Sequence, residues 1–480
     1  MSTTRMMTSL HHVKRRRSVW VSVMVVFAVI ASLAGLTKFL NRPEVGQDPR
    51  QVESTVSPNQ AATTTQQPAF RYDLEYEAIG YSTTRPSGQI DELQQAIASG
   101  RLKLEFDPVR GYLDSLLRAL DIDATSQLLV FSKTSLQNAS IHPETPRAIY
   151  FNDETYVAWV QGGPLEIASM DPLLGQLFYT LEQQQDDAVT LDRRIGTCLR
   201  CHDSYSLTGG GVPRFILGSG YIGTDGELIS HEGWILTNPR TPLRNRWGGW
   251  YVSGRHGDQQ HLGNVIVEAA ADLQQLDSLR IGNLDNLDSM LDADRYLTPY
   301  SDIAALMVVE HQVQIQNLIT RVNYDTRTAL FDEAKLNAEL NRDPDEVSAA
   351  TMQRIAGITE PLIQAMLMVD EVQLTSPIVG TSGFATQFEQ RGPRDSRGRS
   401  LRELDLSERL FEYPLSYLIY SRAFDALPEL NQDYVFSRLR QLLGIDDHSE
   451  GFEHLSAADR RAILEILDDT KPSFAAAVAD

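Results

Sequence analysis

The pattern of hydrophobic and polar positions changes character along this chain of 480 residues. An uncharged apolar run covers residues 19–36 and follows the basic cluster Lys14-Arg15-Arg16-Arg17. Residues 41–69 are rich in Gln, Thr, Ser and Pro, and they lack the apolar side chains that offset the entropy of folding. Folded structure is therefore predicted only from about residue 70 onward.

The apolar run has the features of a membrane-targeting segment. About 18 uncharged residues are nearly enough for a helix to cross a bilayer, and the apolar character resumes at Phe39-Leu40. Because basic residues stay on the inner side, we expect residues 1–17 in the cytoplasm, a retained transmembrane anchor over 18–40, and a disordered linker over 41–69. The alternative is cleavage after Ser32-Leu33-Ala34.

The first folded part is predicted to be rich in strands. One helix comes before them, because Leu113, Leu116, Leu117 and Leu120 recur at the spacing of one helix face. Short β-prone runs separated by Pro, Gly, Asn and Asp then follow. The predicted strands are 128–131, 148–151, 156–160 and 177–181, with further glycine-rich, strand-like segments at 221–222, 233–236, 250–252 and 264–267.

Beyond about residue 272 the pattern becomes helical. The predicted helices cover residues 303–340, 349–369, 414–424, 434–443 and 457–467. Ser456 followed by Asp459 is typical of a capping box at the start of the last of these. We therefore predict an α+β fold, in which a β-rich part over residues 70–270 packs against a mainly helical part over residues 271–480.

Composition excludes one class of partner. Lys and Arg number 43 against 64 Asp and Glu, which gives a net charge of −21. A protein that binds nucleic acid needs a basic surface, so no nucleic acid partner is predicted.

Both cysteines of the chain lie in the stretch Cys198-Leu199-Arg200-Cys201-His202. This C-x-x-C-H spacing is the attachment motif for heme c. Its two thiols are placed to bind the two vinyl groups of one porphyrin, and the histidine is placed to bind the iron. We predict one covalently attached heme c, held by Cys198, Cys201 and His202, in the β-rich part of the fold.

Two other uses of a C-x-x-C pair remain open. A structural zinc site usually needs four ligands, and the chain has no second cysteine pair, although His256 and His261 could in principle complete one. A redox dithiol usually starts a helix after a strand, whereas here a glycine-rich stretch, Thr208-Gly209-Gly210-Gly211-Val212-Pro213, follows soon after the motif. Heme attachment is the preferred interpretation.

The local motifs resemble those of exported, membrane-anchored, single-heme c-type cytochrome-like proteins of bacteria. The resemblance covers most of the chain from about Gln127 onward. It is carried by Gly196-Thr197-Cys198-Leu199-Arg200-Cys201-His202, Arg246-Trp247-Gly248-Gly249-Trp250-Tyr251, Glu310-His311-Gln312 and Gly392-Pro393-Arg394-Asp395-Ser396-Arg397-Gly398-Arg399-Ser400, with residues 404–427 after them. It implies a heme c protein with a large scaffold, and it implies no substrate.

The second axial ligand of the iron is not defined by the motif. The candidates are His231, His256, His261, His311, Met290, Met307, Met352, Met366 and Met368, or an open iron. His311 is preferred as the metal ligand, because it lies in a long apolar-striped helix, with Met307 one turn earlier on the same face. A helix presents an imidazole rigidly to a metal.

Further heme contacts are expected from aromatic and basic residues. Trp234, Trp247 and Trp250 fall within 17 residues of sequence, and indole rings suit the wall of a heme site, although they suit a sheet core equally well. The four arginines of one loop, Arg394 among them, are placed to bind propionates unless the loop pairs only with itself. We select Trp247, Trp250 and Arg394 as cofactor-binding residues.

Two functions fit these features. In the first, the protein is a membrane-anchored electron carrier in the periplasm, and its iron cycles between two oxidation states and serves a redox partner protein. In the second, the iron keeps an open position and the protein is a peroxidase-like or small-oxyanion enzyme. The carrier is preferred. A heme-based sensor is disfavoured, because no signalling module is recognisable on the cytoplasmic side.

Overall fold

A six-stranded antiparallel sheet lies at the centre of the computed structural model, which describes residues 74–186, 188–204, 211–229, 233–268, 279–444 and 449–477. Its strands pair in chain order, as antiparallel strands joined by short turns do. They are β1 Leu128–Val130, β2 Arg147–Phe151, β3 Thr155–Trp159, β4 Leu165–Asp171, β5 Gly175–Leu181 and β6 Asp192–Arg193. The four strands predicted between residues 128 and 181 are confirmed.

The sequence pattern did not indicate strand β4. Its seven residues include an alanine and an aspartate, which are depleted in strands. The strand nevertheless pairs with β3 on one side and with β5 on the other. Pairing on both edges outweighs weak intrinsic propensity.

The two faces of the sheet belong to two different parts of the core. Tyr150 packs in the core that includes helices α1, Gln89–Ala98, and α2, Leu113–Ala119. Its neighbour Phe151 packs in the core that includes the long helix α4, Ile303–Glu339. Successive side chains of a strand point to opposite faces, so the sheet is covered by helices on both faces. The fold is α+β, as predicted.

Helix α4 begins at a capped end, where the Asp302 side chain accepts a hydrogen bond from the backbone N–H of Ala304. The other helices are α3 Gly196–His202, α5 Ala349–Met366, α6 Phe384–Glu389, α7 Arg422–Asp425, α8 Glu429–Leu442, α9 Ala457–Thr470 and α10 Pro472–Ala476. The predicted helices that correspond to α2, α4, α5, α8 and α9 are confirmed. So is the capping box of Ser456 and Asp459.

The continuous helix predicted over residues 414–424 is wrong. A single 3-10 turn, Tyr417–Tyr420, is followed there by the short helix α7. The hydroxyl of Ser416 accepts from Leu418 N, and that of Ser421 accepts from Phe424 N. Each serine starts a new turn, because its side chain replaces the hydrogen bond that a continuing helix would make.

The glycine-rich part after α3 contains fewer strands than predicted. Among its described residues, only β7, Gly218–Gly220, and β8, Trp234–Leu236, form a regular ribbon, and the segments at 221–222, 250–252 and 264–267 make isolated bridges instead. At Gly248 the backbone lies too close to the backbone of Gly220 to leave room for a side chain. A Cβ on Gly248 would lie 2.3 Å from the carbonyl oxygen of Gly220.

None of the helices in the described ranges is both long enough and apolar enough to cross a membrane. The predicted anchor and linker, residues 18–69, lie outside the described residues.

Candidate functional site

A cavity of about 580 Å³ lies between the sheet and helix α4. Its walls are mainly apolar. They include Ile149, Ala158, Ala168 and Phe178 of the sheet, and Val309 and Val313 of α4. Cofactor sites in proteins are typically apolar cavities of about 300–1,000 Å³ with a few polar groups. The cavity therefore has the size and the lining of a cofactor site.

The register of the sheet explains the shape of the cavity floor. Ala158 lies opposite Ile149 on β2, and Ala168 lies between Tyr156 on β3 and Phe178 on β5. Side chains opposite each other on one face are direct neighbours. The two small alanines thus lie among larger side chains, and they form a depression in this face of the sheet.

Helix α3 brings the C-x-x-C-H motif to this cavity. It is a short helix that comes directly after β6 and ends at His202. Residues three and four positions apart share one face of a helix, so Cys198, Cys201 and His202 lie together. All three line the cavity, as does Thr197.

The two cysteines are free thiols in different surroundings. Cys198 is half-buried and Cys201 is exposed. Burial raises the pKa of the Cys198 thiol to about 11. The reactive cysteine of a redox dithiol has a lowered pKa, which keeps it as thiolate at neutral pH. Cys198 lacks this property.

The imidazole of His202 has a fixed orientation. Its Nδ1 lies 2.6 Å from the carbonyl oxygen of Arg214, and because a carbonyl oxygen only accepts, Nδ1 carries the proton. Burial lowers the pKa of His202, so the ring is neutral and the lone pair is on Nε2. Metal-binding histidines commonly donate their other N–H to a backbone carbonyl in this way. The ring of Phe178, 4.3 Å away between centroids, packs against His202.

One end of the cavity is polar. Arg147 of β2 and Glu166 of β4 both line it, and their side chains form an ion pair of 3.4 Å. Ser135, after β1, also lines the cavity and donates to the Glu166 carboxylate at 2.9 Å. None of these residues was predicted from the sequence, because they come together only through the pairing of β1 to β4.

Two of the three tryptophans line the cavity. Trp250 donates its indole N–H to the carbonyl oxygen of Gly218 at 2.9 Å, and the ring of Trp234 lies so close to Gly218 that a Cβ there would be 2.1 Å from it. Trp247 is buried elsewhere and packs against His261, with 5.4 Å between ring centroids. The structure brings Trp250 to the motif, and it does not bring Trp247 there.

His311 is completely buried, but it is not among the residues that line the cavity. Its Nε2 lies 2.8 Å from the Ser416 hydroxyl, and its Nδ1 lies 3.4 Å from the Glu371 carboxylate. The ring also packs edge-on against Phe411. Both ring nitrogens thus have protein partners, and neither Ser416 nor Glu371 lines the cavity.

None of the other described candidates for a second axial ligand lines the cavity. His256 and His261 pack against each other, with 4.6 Å between ring centroids. Among the described residues that line the cavity, His202 is the only histidine and none is a methionine. His231 lies outside the described residues.

Arg394 and its neighbours pair within the protein. Arg394 donates to the carbonyl oxygens of Gly398 and Glu389 and to the carboxylate of Glu403. It does not line the cavity. These contacts stabilise the loop itself. They correspond to the alternative in which the arginines of the loop pair within the protein and do not bind propionates.

Metal-ligating residues do not cluster elsewhere in the described ranges, where no group of three or more His, Cys, Asp or Glu is arranged to hold a metal ion. Comparisons with models of known protein families, with curated proteins and with solved structures give no match. Function must therefore be argued from the cavity itself.

Proposed function

We propose that this chain is a heme c redox protein, with one heme bound covalently in the cavity between the sheet and α4. Cys198 and Cys201 would hold it by thioether bonds, and His202 would bind the iron. One observation carries the proposal, which is that both thiols and a neutral imidazole line the same large apolar cavity.

The residues present fit the cofactor. Attachment adds each thiol S–H across a vinyl double bond, so that sulfur bonds to one carbon and hydrogen to the other, and this needs two free thiols side by side. The iron needs a neutral histidine with a free ring nitrogen, and the hydrogen bond from Nδ1 to Arg214 fixes that form. When bound, heme supplies reversible one-electron transfer.

Electron transfer is the simplest role for such a protein. We propose a carrier that is anchored in the cytoplasmic membrane by residues 18–40, stands in the periplasm on its linker, and exchanges electrons with a redox partner protein. The basic cluster before the apolar run supports this orientation. Covalent heme supports export, because heme c is assembled outside the cytoplasm.

A second candidate, an enzyme with an open iron position, is favoured by one observation. Apart from His202, the described residues that line the cavity include no histidine and no methionine to serve as second axial ligand. The ferric absorption spectrum separates the two roles. A low-spin spectrum that azide leaves unchanged supports the carrier, and a high-spin spectrum with rapid azide binding supports the enzyme.

Heme attachment is tested by heme staining after denaturing electrophoresis of protein expressed with a heme c maturation system. The wild type is expected to keep its stain, and the double variant Cys198→Ala, Cys201→Ala to lose it. Thr197→Ala is the matched control, because Thr197 lines the cavity beside Cys198 and contributes no thiol. An unstained wild type, or a stained double variant, would show that the proposal is wrong.

A further inference from the structure

The ion pair of Arg147 and Glu166, at the polar end of the cavity, leaves N–H donors of the arginine unused. Arg147 Nη1 approaches Glu166 Oε2 only to 3.4 Å, and the two side chains are 15% and 18% exposed. Arg147 Nε is buried and has no hydrogen-bond partner in the described part of the chain. A guanidinium has five N–H donors, and few of them are engaged here.

Glu166 does not depend on Arg147 for its hydrogen bonds. Its carboxylate accepts from the Ser135 hydroxyl at 2.9 and 3.0 Å and from Gln137 Nε2 at 3.0 Å. Gln137 is itself held through a second hydrogen bond to the carbonyl oxygen of Pro164. The shortest hydrogen bonds of the carboxylate thus come from neutral donors.

Arg402, an arginine with a structural role, has more complete contacts than Arg147. Arg402 binds the Asp153 carboxylate through two parallel hydrogen bonds of 2.9 and 3.0 Å. It also lies between the rings of Phe388 and Tyr417, 4.1 and 4.4 Å from their centroids. Within the described ranges, Arg147 has neither such paired hydrogen bonds nor such aromatic contacts. Burial lowers the pKa of Arg147, so its cation gains from a further negative partner.

We propose that Arg147 makes this end of the cavity a binding site for a small monovalent anion, of the size of nitrite or azide, beside the heme. The inference rests on the proposed heme c function in its second form, with an open iron position, since the anion is placed in the same cavity as the cofactor and must reach the iron. Arg147 supplies charge-assisted hydrogen bonds. Glu166 repels anions of higher charge, and this selects for a single negative charge.

The experiment is a pair of titrations of the ferric holoprotein, followed by absorbance, with azide as the anionic probe and imidazole, buffered above its own pKa, as the neutral probe. Arg147→Leu is expected to weaken azide binding by about tenfold to a hundredfold, the range for a lost charge-assisted hydrogen bond. Imidazole binding is expected to change by less than about threefold. Glu166→Gln should strengthen azide binding, because a negative charge is removed.

Arg194→Leu is the matched control. Arg194 lies close by, since its Nε donates to the Thr180 hydroxyl at 2.8 Å, and Thr180 lines the cavity while Arg194 does not. The control removes the same charge and should leave both affinities unchanged. Arg147→Lys keeps the charge and should give an intermediate azide affinity if Arg147→Leu fails to fold.

Three results would overturn the inference while heme staining of the wild type still supports the proposed function. One is an equal loss of azide and imidazole affinity in Arg147→Leu. Another is loss of bound heme in that variant, which would assign Arg147 to the propionates. The third is a wild-type protein that binds neither probe. A wild type without covalent heme would instead overturn the proposed function itself.

Discussion

His261 should make the folded protein less stable in mild acid. Its side chain is 2% exposed. Burial, followed by the neighbouring charges of His256 and Arg280, lowers its pKa to about 3. In the unfolded chain an imidazole has a pKa of about 6.5. Between these values the unfolded state binds a proton that the folded state does not, so stability falls as the pH is lowered.

The size of the effect follows from the difference between the two pKa values. Lowering the pH from 7 to 5 should cost about 2 kcal/mol of unfolding free energy through His261 alone, rising to about 4 kcal/mol near pH 3. Carboxylates contribute to the pH dependence as well. The contribution of His261 is therefore measured as the difference in lost unfolding free energy between the wild type and a variant without this imidazole.

The assay is urea unfolding of wild type and His261→Leu, each at pH 7 and at pH 5. The wild type should lose about 2 kcal/mol more than the variant on acidification. His454→Gln, which replaces an exposed histidine, controls for the loss of one imidazole from the chain. If wild type and His261→Leu lose the same free energy between pH 7 and pH 5, the argument from burial is wrong.

Four further outcomes are expected. Arg246→Met should lower the free energy of unfolding by about 3–5 kcal/mol in urea, because Arg246 and Glu310 form a buried ion pair of 2.9 Å and the variant leaves the buried carboxylate without its cation. Ala168→Phe should reduce bound heme per chain, measured by heme staining, while circular dichroism stays native, because the ring fills the cavity floor. His311→Ala should cost about 1–3 kcal/mol of stability through lost hydrogen bonds and leave the ferric spectrum unchanged; conversion to high spin would instead identify His311 as an iron ligand. A chain starting at Asn41 behind a cleavable signal should be soluble in the periplasmic fraction, whereas the full chain should sediment with membranes.

The sequence located the residues of the candidate site better than it located their surroundings. Cys198, Cys201 and His202 are adjacent in sequence, and one short helix suffices to place them on one face, so local spacing is enough to find them. The strands of the sheet were also predictable, because β-prone runs between turn residues act locally. Strand β4 was not, because its place depends on partners on both sides.

The polar end of the cavity could not be predicted for the same reason. Arg147 and Glu166 are separated by two turns and the whole of β3, and they meet only because register puts both on the face of Ile149 and Ala168. A shift of one residue in either pairing would move one of them to the opposite face. Sequence alone does not fix that register.

Helix α4 shows a different limit of sequence reasoning. Residues 303–313 are all buried, so the helix has no polar face in this part to indicate which side meets which neighbour. His311 was predicted as the metal ligand because it is the one imidazole in an apolar run. The side of the helix that faces the cavity is instead that of Val309 and Val313, which are four residues apart. Successive residues turn by about 100°, which carries Glu310 round to Arg246 and His311 further round to Ser416. The valines of this helix thus line the cavity proposed for the heme. Its polar residues Glu310 and His311 bind the glycine-rich segment and the C-terminal segment. Any second ligand for the iron would have to come from another element.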